Sequence, residues 1–374
     1  MEHREMKKLG ISPSLLGFGC MRFPLTPDGK IDEPEAERIL DHAIANGVTY
    51  IDTAYNYHGG NSEEFVGRVL KKYDRDSFYL ATKLPVWKLE KPEDAERIFQ
   101  EQLDRLGVDH IDFYLLHSLD RKSFEDKVIG LNVIPFCEEM KRQGKIRNLG
   151  FSFHDDYEIF ERILTYRDWD FCQIQYNYLD TDIQAGDRGY ALTEKLGIPL
   201  VIMEPVKGGI LATLPDSVTE GLRNYRKDAS LASYAFRWVG SKPNVKVILS
   251  GMSSMEQVED NLRTFADFQP LNEEEQKLIA NTAQAIKSRT QNGCTGCEYC
   301  MPCPFGVNIP KNFRIWNEYA MYENAEQTKK RYEGMEEAQR SDQCKECGKC
   351  EAVCPQHLSI REDLKKVAQA MKAL

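Results

Sequence analysis

Eight short apolar runs, each followed by an amphipathic stretch, fill the first 270 residues and limit the architectures open to the chain. The runs are Leu15 to Phe18, Thr49 to Asp52, Phe78 to Lys83, Ile111 to His117, Asn148 to Phe153, Phe171 to Tyr176, Pro199 to Met203 and Val245 to Ser250. Helical patterns follow them, near Glu33 to Asn46, Ser62 to Lys72, Pro92 to Leu106, Phe124 to Gln143, Tyr157 to Tyr166, Asp187 to Leu196, Asp228 to Val239 and Met255 to Phe265. Strands that alternate with helices lie parallel and are covered by those helices. Eight such units close an α/β, (β/α)8 TIM barrel rather than an open sheet.

Barrels of this kind place chemistry at the C-terminal ends of their strands. The second run ends in Asp52, with Tyr57 five residues on; the third ends in Lys83 and the fourth in His117. Alone, each has a plain structural use, as a turn cap, a solvent-seeking ammonium or a buried imidazole. Together on one rim they form a proton-transfer set. A phenol titrates near 10, and a neighbouring ammonium favours the phenolate, which makes Tyr57 a better acid near neutrality. Asp52 would hold Lys83 charged, and His117 could orient a carbonyl oxygen.

The last eighty residues carry a different signal. Cys294, Cys297, Cys300 and Cys303-Pro304 form one run, and Cys344, Cys347, Cys350 and Cys354-Pro355 another. The second run is C-x2-C-x2-C-x3-C-P, the bacterial ferredoxin pattern, in which three thiolates hold one cubane and the fourth reaches the other cluster. That crossover would join Cys354 to the first triplet and Cys303 to the second. In the first run only Met301 and Pro302 precede the Cys-Pro pair. Zinc is the competing reading of clustered thiols, but its sites are built from paired CxxC knuckles, whereas each run here is a triplet with an outlying cysteine. Two 4Fe-4S clusters are expected. A helix near Asn272 to Ser288 would lead out of the barrel, and Pro310 to Arg340 reads as helix between the cysteine runs. The expected division is therefore a barrel over 1–270, a helical linker over 271–290 and a small all-helical, ferredoxin-like iron-sulfur domain over 291–374.

Cys20, Cys137 and Cys172 lie outside the runs and are expected to be small buried residues. Cysteines concentrated in one segment of a long chain argue against a disulfide framework. The opening residues lack an apolar signal region and no stretch of eighteen apolar residues occurs, so a cytoplasmic location without membrane insertion is expected. A net charge of -10 argues against a general nucleic-acid binder.

From Met6 to Phe268 the chain resembles the aldo-keto reductase superfamily. The resemblance rests on Asp52-Thr53-Ala54 followed by Tyr57, on Ala81-Thr82-Lys83 and Leu115-Leu116-His117, and on the opening Lys8-Leu9-Gly10 and Leu16-Gly17-Phe18-Gly19-Cys20-Met21. With the cysteine runs, the whole resembles the bacterial and archaeal branch that carries a C-terminal 4Fe-4S ferredoxin domain. The resemblance implies a nicotinamide cofactor, NADP or NAD, a small carbonyl or alcohol substrate, and Tyr57 as general acid with Asp52, Lys83 and His117 as its partners. It also implies that Ser152 and Gln173 hold the carboxamide and that Met203 stands where many relatives have a stacking aromatic. Pro205, Lys207, Gly208 and Gly209 would form the pyrophosphate loop, with Lys207 supplying charge. Gly251 and Ser253 precede a helix whose free amides suit a phosphate. Gln257, Asp260 and Asn261 match adenosine-binding positions, and Gln257 stands where many NADP-specific relatives have arginine. Phe153 replaces an asparagine common after the serine.

Substrate-shaping loops are expected at Arg22 to Thr26, Pro85 to Leu89, Ser118 to Lys122 and near Asp182 to Arg188, with Phe23 and Trp87 as apolar walls. Two other functions compete with carbonyl reduction. One is a ferredoxin-linked oxidoreductase whose clusters pass electrons to or from a ferredoxin-like partner; the other is a non-catalytic redox sensor or docking subunit. Hydride transfer moves two electrons and a cubane one, so the coupling between barrel and clusters is open.

Overall fold

The computed structural model describes all 374 residues. Its eight strands, β1 Leu16–Gly19, β2 Tyr50–Asp52, β3 Tyr79–Leu84, β4 Ile111–Leu119, β5 Ile146–Phe153, β6 Phe171–Gln175, β7 Leu200–Met203 and β8 Val245–Ser250, pair in chain order and close into a barrel. Every pairing is parallel, including β1 with β8. The expected strands are all present, with ends shifted by no more than two residues.

The apolar content of the strands divides between two faces. Outward residues such as Ile51, Leu80, Leu116 and Ile202 pack under the helices, while Tyr50, Ala81, Phe113, Phe171, Val201 and Val247 fill the barrel interior. Gly150 is required by that filling, since a Cβ there would lie 2.6 Å from the Phe171 ring. Met6, Leu9 and Ile11 of an N-terminal hairpin join the interior cluster beside Tyr50 and Tyr79, the first residues of β2 and β3. The bottom of the barrel is thus closed with apolar side chains. Only the opposite end is left for polar chemistry.

Two helices expected to be continuous are broken. Phe124 to Gln143 divides into a π-helical stretch, Ser123–Ile129, and an α-helix, Val133–Arg142, because Asn132 takes a left-handed conformation at φ 55°. Pro135 then falls in a first turn, where its missing N–H costs nothing. Pro310 to Arg340 divides into Ile309–Tyr322 and Ala325–Glu333; Glu323 is left-handed and the Asn324 side chain caps the second helix by accepting from the Gln327 amide.

The chain forms two compact units. One comprises Met1–Ala212 and Asp228–Glu273; the other comprises Thr213–Lys227 and Glu274–Leu374. The second unit therefore borrows a segment from within the barrel sequence, containing the helix Asp216–Tyr225, which periodicity did not single out. Arg289 donates to Ser217 on this segment at 2.7 Å and pairs with Glu323 at 2.6 Å. This unit contains helices and no strands, around a core of Val307, Ile309, Phe313, Ile315, Trp316, Met335, Ile360, Leu364, Val367 and Met371. No helix of the chain is long and apolar enough to cross a membrane.

Candidate active site and cysteine cavities

Lys83 is 1% exposed, and its ammonium is held on several sides. It donates to Asp52 Oδ1 at 2.7 Å, to the Thr53 carbonyl at 2.7 Å and, at the outer limit of a hydrogen bond, to the Tyr57 hydroxyl at 3.4 Å. Parallel register brings this about, because Asp52 of β2 lies beside Ala81 of β3 and Lys83 beside Leu115 of β4. Behind β3, Gln102 donates to the Lys83 carbonyl at 3.0 Å and to buried Glu63 at 2.7 Å, while Tyr114 donates to Gln102. The strand end is therefore fixed from its outer side as well.

Tyr57 follows β2 in a tight turn in which His58 is left-handed at φ 52° and donates or accepts through Nε2 at the Cys20 carbonyl, 3.0 Å away. The His117 ring packs edge-on to Tyr57, with centroids 6.1 Å apart, and lies 5.0 Å from Trp87. His117 Nδ1 is enclosed without a hydrogen-bond partner. Burial, then the Lys83 charge and His154, push the His117 pKa far below its ordinary value, so the imidazole is neutral. Burial also raises the Tyr57 phenol; Lys83 opposes that rise and Asp52 adds to it. The sequence argument weighed only the ammonium. In the folded chain, removal from water outweighs it, and Tyr57 is a firmly protonated phenol. Burial would lower the Lys83 pKa, but Asp52 and Tyr57 more than offset this and keep it charged.

Ser152 and Gln173 are register partners on β5 and β6 and are both buried. Ser152 Oγ accepts from the Ser118 amide at 2.7 Å, leaving its proton to donate elsewhere, and Gln173 Oε1 is a buried acceptor with no partner. Met203 is half-buried at the end of β7. Pro205 is buried after it, while Gly208 and Gly209 adopt φ of 66° and 100°.

Several loop residues behave differently from expectation. Lys207 is not free to supply charge, because its ammonium lies 2.5 Å from Asp180, a carboxylate that also accepts from Gln175 and Asn177. Asn261 is buried and donates to Ser250 at 2.9 Å, and Asp260 accepts from Ser230 and Arg263. Gln257 accepts from the Ser253 amide at 2.8 Å. Phe23 is 3% exposed and packs edge-on to Phe65 as core, whereas Trp87, 44% exposed, does border the rim. Arg22, read from sequence as part of a substrate loop, lies against Gly208 and Gly251 instead. Cys20, Cys137 and Cys172 are buried.

The eight cysteines of the second unit line two cavities. One, of about 290 Å³, is bordered by Cys303, Cys344, Cys347 and Cys350, and the other by Cys294, Cys297 and Cys354; Cys300 borders both. No three of these thiols converge on a single-ion position. The first run is anchored by Asn292 and Asn317: Asn292 Oδ1 accepts from the Cys294 amide, Asn292 donates to Asp363, and Asn317 Oδ1 accepts from the Asn292 amide. The second is anchored by Glu351, which accepts from the backbone and guanidinium of Arg361.

Residues 293–358 match the 4Fe-4S dicluster domain, and residues 15–283 match the aldo/keto reductase family. An uncharacterized oxidoreductase of Bacillus subtilis, YqkF, is 29% identical over 75% of this chain and 97% of its own length. The NADH-specific methylglyoxal reductase of Escherichia coli is 26% identical over 67% of this chain and 90% of its own. Among solved structures, the holo form of aldo-keto reductase AKR11C1 from Bacillus halodurans superposes with a TM-score of 0.64 at 28% identity, covering 76% of this chain and 97% of that one. The chain belongs to the aldo/keto reductase family and carries a 4Fe-4S dicluster domain at its C-terminal end.

Proposed function

We propose that this protein interconverts a small aldehyde or ketone and the corresponding alcohol, using a nicotinamide cofactor and carrying two 4Fe-4S clusters. The observation that carries the reading is the buried Lys83 ammonium bound at once to Asp52, the Thr53 carbonyl and Tyr57, with the open Nδ1 of a neutral His117 beside them. A carbonyl oxygen at the Tyr57 hydroxyl would receive its proton from the phenol, while Lys83 stabilises the phenolate left behind. His117 would orient the same oxygen, and Trp87 would supply an apolar wall over it.

The cofactor, when bound, supplies the hydride. The residues present fit it: the orphaned Gln173 acceptor and the Ser152 hydroxyl, side by side, match the donor and acceptor of a carboxamide. Met203 would pack on the ring, Gly208, Gly209, Gly251 and Ser253 would admit the phosphates, and Gln257 and Asp260 would meet the adenosine. NADH and NADPH are both candidates, and the E. coli relative is described as NADH-specific. Cys294, Cys297, Cys300 and Cys354 would hold one cluster and Cys303, Cys344, Cys347 and Cys350 the other. Four thiols around each cavity suit the thiolate ligation of a cubane.

The test is anaerobic turnover of a panel of aldehydes and ketones with NADH, NADPH and a reduced low-potential dye, on wild type and Tyr57→Phe. The variant should bind nicotinamide normally and lose roughly a hundredfold or more in carbonyl reduction, the scale of a lost general acid. Unchanged turnover would remove Tyr57 from the role of donor. Activity with the dye alone would favour a ferredoxin-linked reaction instead.

A further inference from the structure

We propose that Arg22, and not Lys207, is the cation that binds the diphosphate of the nicotinamide dinucleotide. The inference rests on the cofactor reading above and assigns a residue that the sequence had given to the substrate rim.

Arg22 follows β1 and is fixed between two loops that come from far along the chain. Its carbonyl accepts from Ser253 Oγ at 2.7 Å, which ties its backbone to the loop after β8. Its side chain occupies the space a larger residue at 251 would need, since a Cβ on Gly251 would lie 3.0 Å from Arg22 Cβ and 3.1 Å from both Cγ and Cδ. The guanidinium then reaches the loop after β7, where a Cβ on Gly208 would lie 3.3 Å from Nη2. Both glycines thus leave backbone exposed on either side of one arginine. Gly208 also needs its left-handed conformation, at φ 66°.

Charge separates the two candidates. Lys207 is neutralised by Asp180, whose carboxylate is only 8% exposed. Turning Lys207 to a phosphate would strand that buried carboxylate, a cost that a single phosphate contact does not recover. Arg22 is exposed and has no carboxylate or other acceptor at its guanidinium, in a chain where acidic residues outnumber basic ones by 59 to 49. A planar guanidinium also offers two parallel donors to a phosphate, which an ammonium does not. Backbone amides of the loop after β8 lead directly into the helix Met255–Ala266, whose N-terminal end favours the same negative charge.

Binding, not turnover, tests this. Dissociation constants for NADH, NADPH, ADP-ribose and adenosine would be measured by fluorescence titration at several salt concentrations. The chains would be wild type, Arg22→Ala, Arg22→Lys and the charge-balanced double variant Lys207→Gln with Asp180→Asn. Arg22→Ala should weaken the better dinucleotide and ADP-ribose by roughly tenfold to a hundredfold, the range of a charge-assisted contact, and should leave adenosine unchanged. It should also flatten the salt dependence, which a purely structural residue would not do, and Arg22→Lys should recover part of the loss. The double variant should stay within about threefold of wild type, well below one charge-assisted contact. Arg22→Ala within threefold of wild type for ADP-ribose, or a larger loss in the double variant, would overturn the assignment while leaving the cofactor reading intact. Wild type that binds none of the diphosphate ligands would overturn the cofactor reading itself, and this assignment with it.

Discussion

The rim of the barrel and the cysteine cavities are both built for redox chemistry, and they are held together by opposite means. At the rim, the functional side chains hold one another: Lys83 has Asp52, Thr53 and Tyr57 as partners, and its strand is braced through Gln102 and Glu63. Beneath it lies a large closed core. In the cysteine unit the thiols line cavity walls without converging, and the core is a small group of residues contributed by a few helices. A site whose parts satisfy each other is complete when the chain folds. One whose parts face an open cavity depends on what fills it, as metal-bound small domains do. The difference predicts that the two regions fail under different treatments.

The largest effect should come from removing iron. Anaerobically purified protein is expected to contain about eight iron and about eight sulfide per chain, at four of each per cluster. Chelation should then abolish amide protection across residues 274–374 and over the inserted helix Asp216–Tyr225, while the strands of the barrel keep theirs. Hydrogen exchange followed by mass spectrometry reads both regions in one sample. Equal loss in the barrel strands would break the comparison. Zinc without sulfide would replace the clusters themselves.

A second test cuts the rim from within. Asp52→Asn keeps volume and removes the negative partner of an ammonium that is almost wholly buried. Breaking such a pair costs about 3–5 kcal/mol, because the remaining charge stays desolvated. Denaturant unfolding should register that loss in the barrel, with the cluster absorbance unaffected at low denaturant. A change below about 1 kcal/mol, the level of an exposed pair, would show that Lys83 can reach water in solution.

How much of this could be read from the chain differs by region in an instructive way. The barrel was legible because its strands are apolar runs with one polar residue at the end, so Asp52, Lys83 and His117 mark both the strand ends and the rim. The cysteine spacing was legible because the ligand pattern lies within a few residues. Arg22 was not, since its neighbours Gly208 and Gly251 are brought to it only by barrel closure. Lys207 looked like a free cation because Asp180, its partner, is distant in sequence and uninformative alone. The helix Asp216–Tyr225 was missed because no pattern in a local window says which of two units a segment will join. The break at Asn132 had a local signal in Gly130, Asn132 and Pro135, which a search for apolar periodicity passes over.

The smallest expected effect is an absence of titration. His117 is held neutral and Tyr57 protonated, both chiefly by burial. Carbonyl reduction needs the phenol, so raising its pKa keeps the donor loaded as pH increases; alcohol oxidation needs the phenolate and should gain as pH rises. Reduction measured as kcat/KM should therefore be flat between about pH 6.5 and 10, the ordinary values of imidazole and phenol. For stability the sign is set by His117 binding a proton more readily in the unfolded chain. Its contribution is complete above about pH 6.5 and falls away as pH drops below that value, toward its depressed folded pKa. His117→Gln should remove that acid-side loss of stability. An acid limb in reduction near pH 6.5 that disappears in His117→Gln would mean that the imidazole is in contact with water, and that the rim is less closed than its packing against Tyr57 and Trp87 requires.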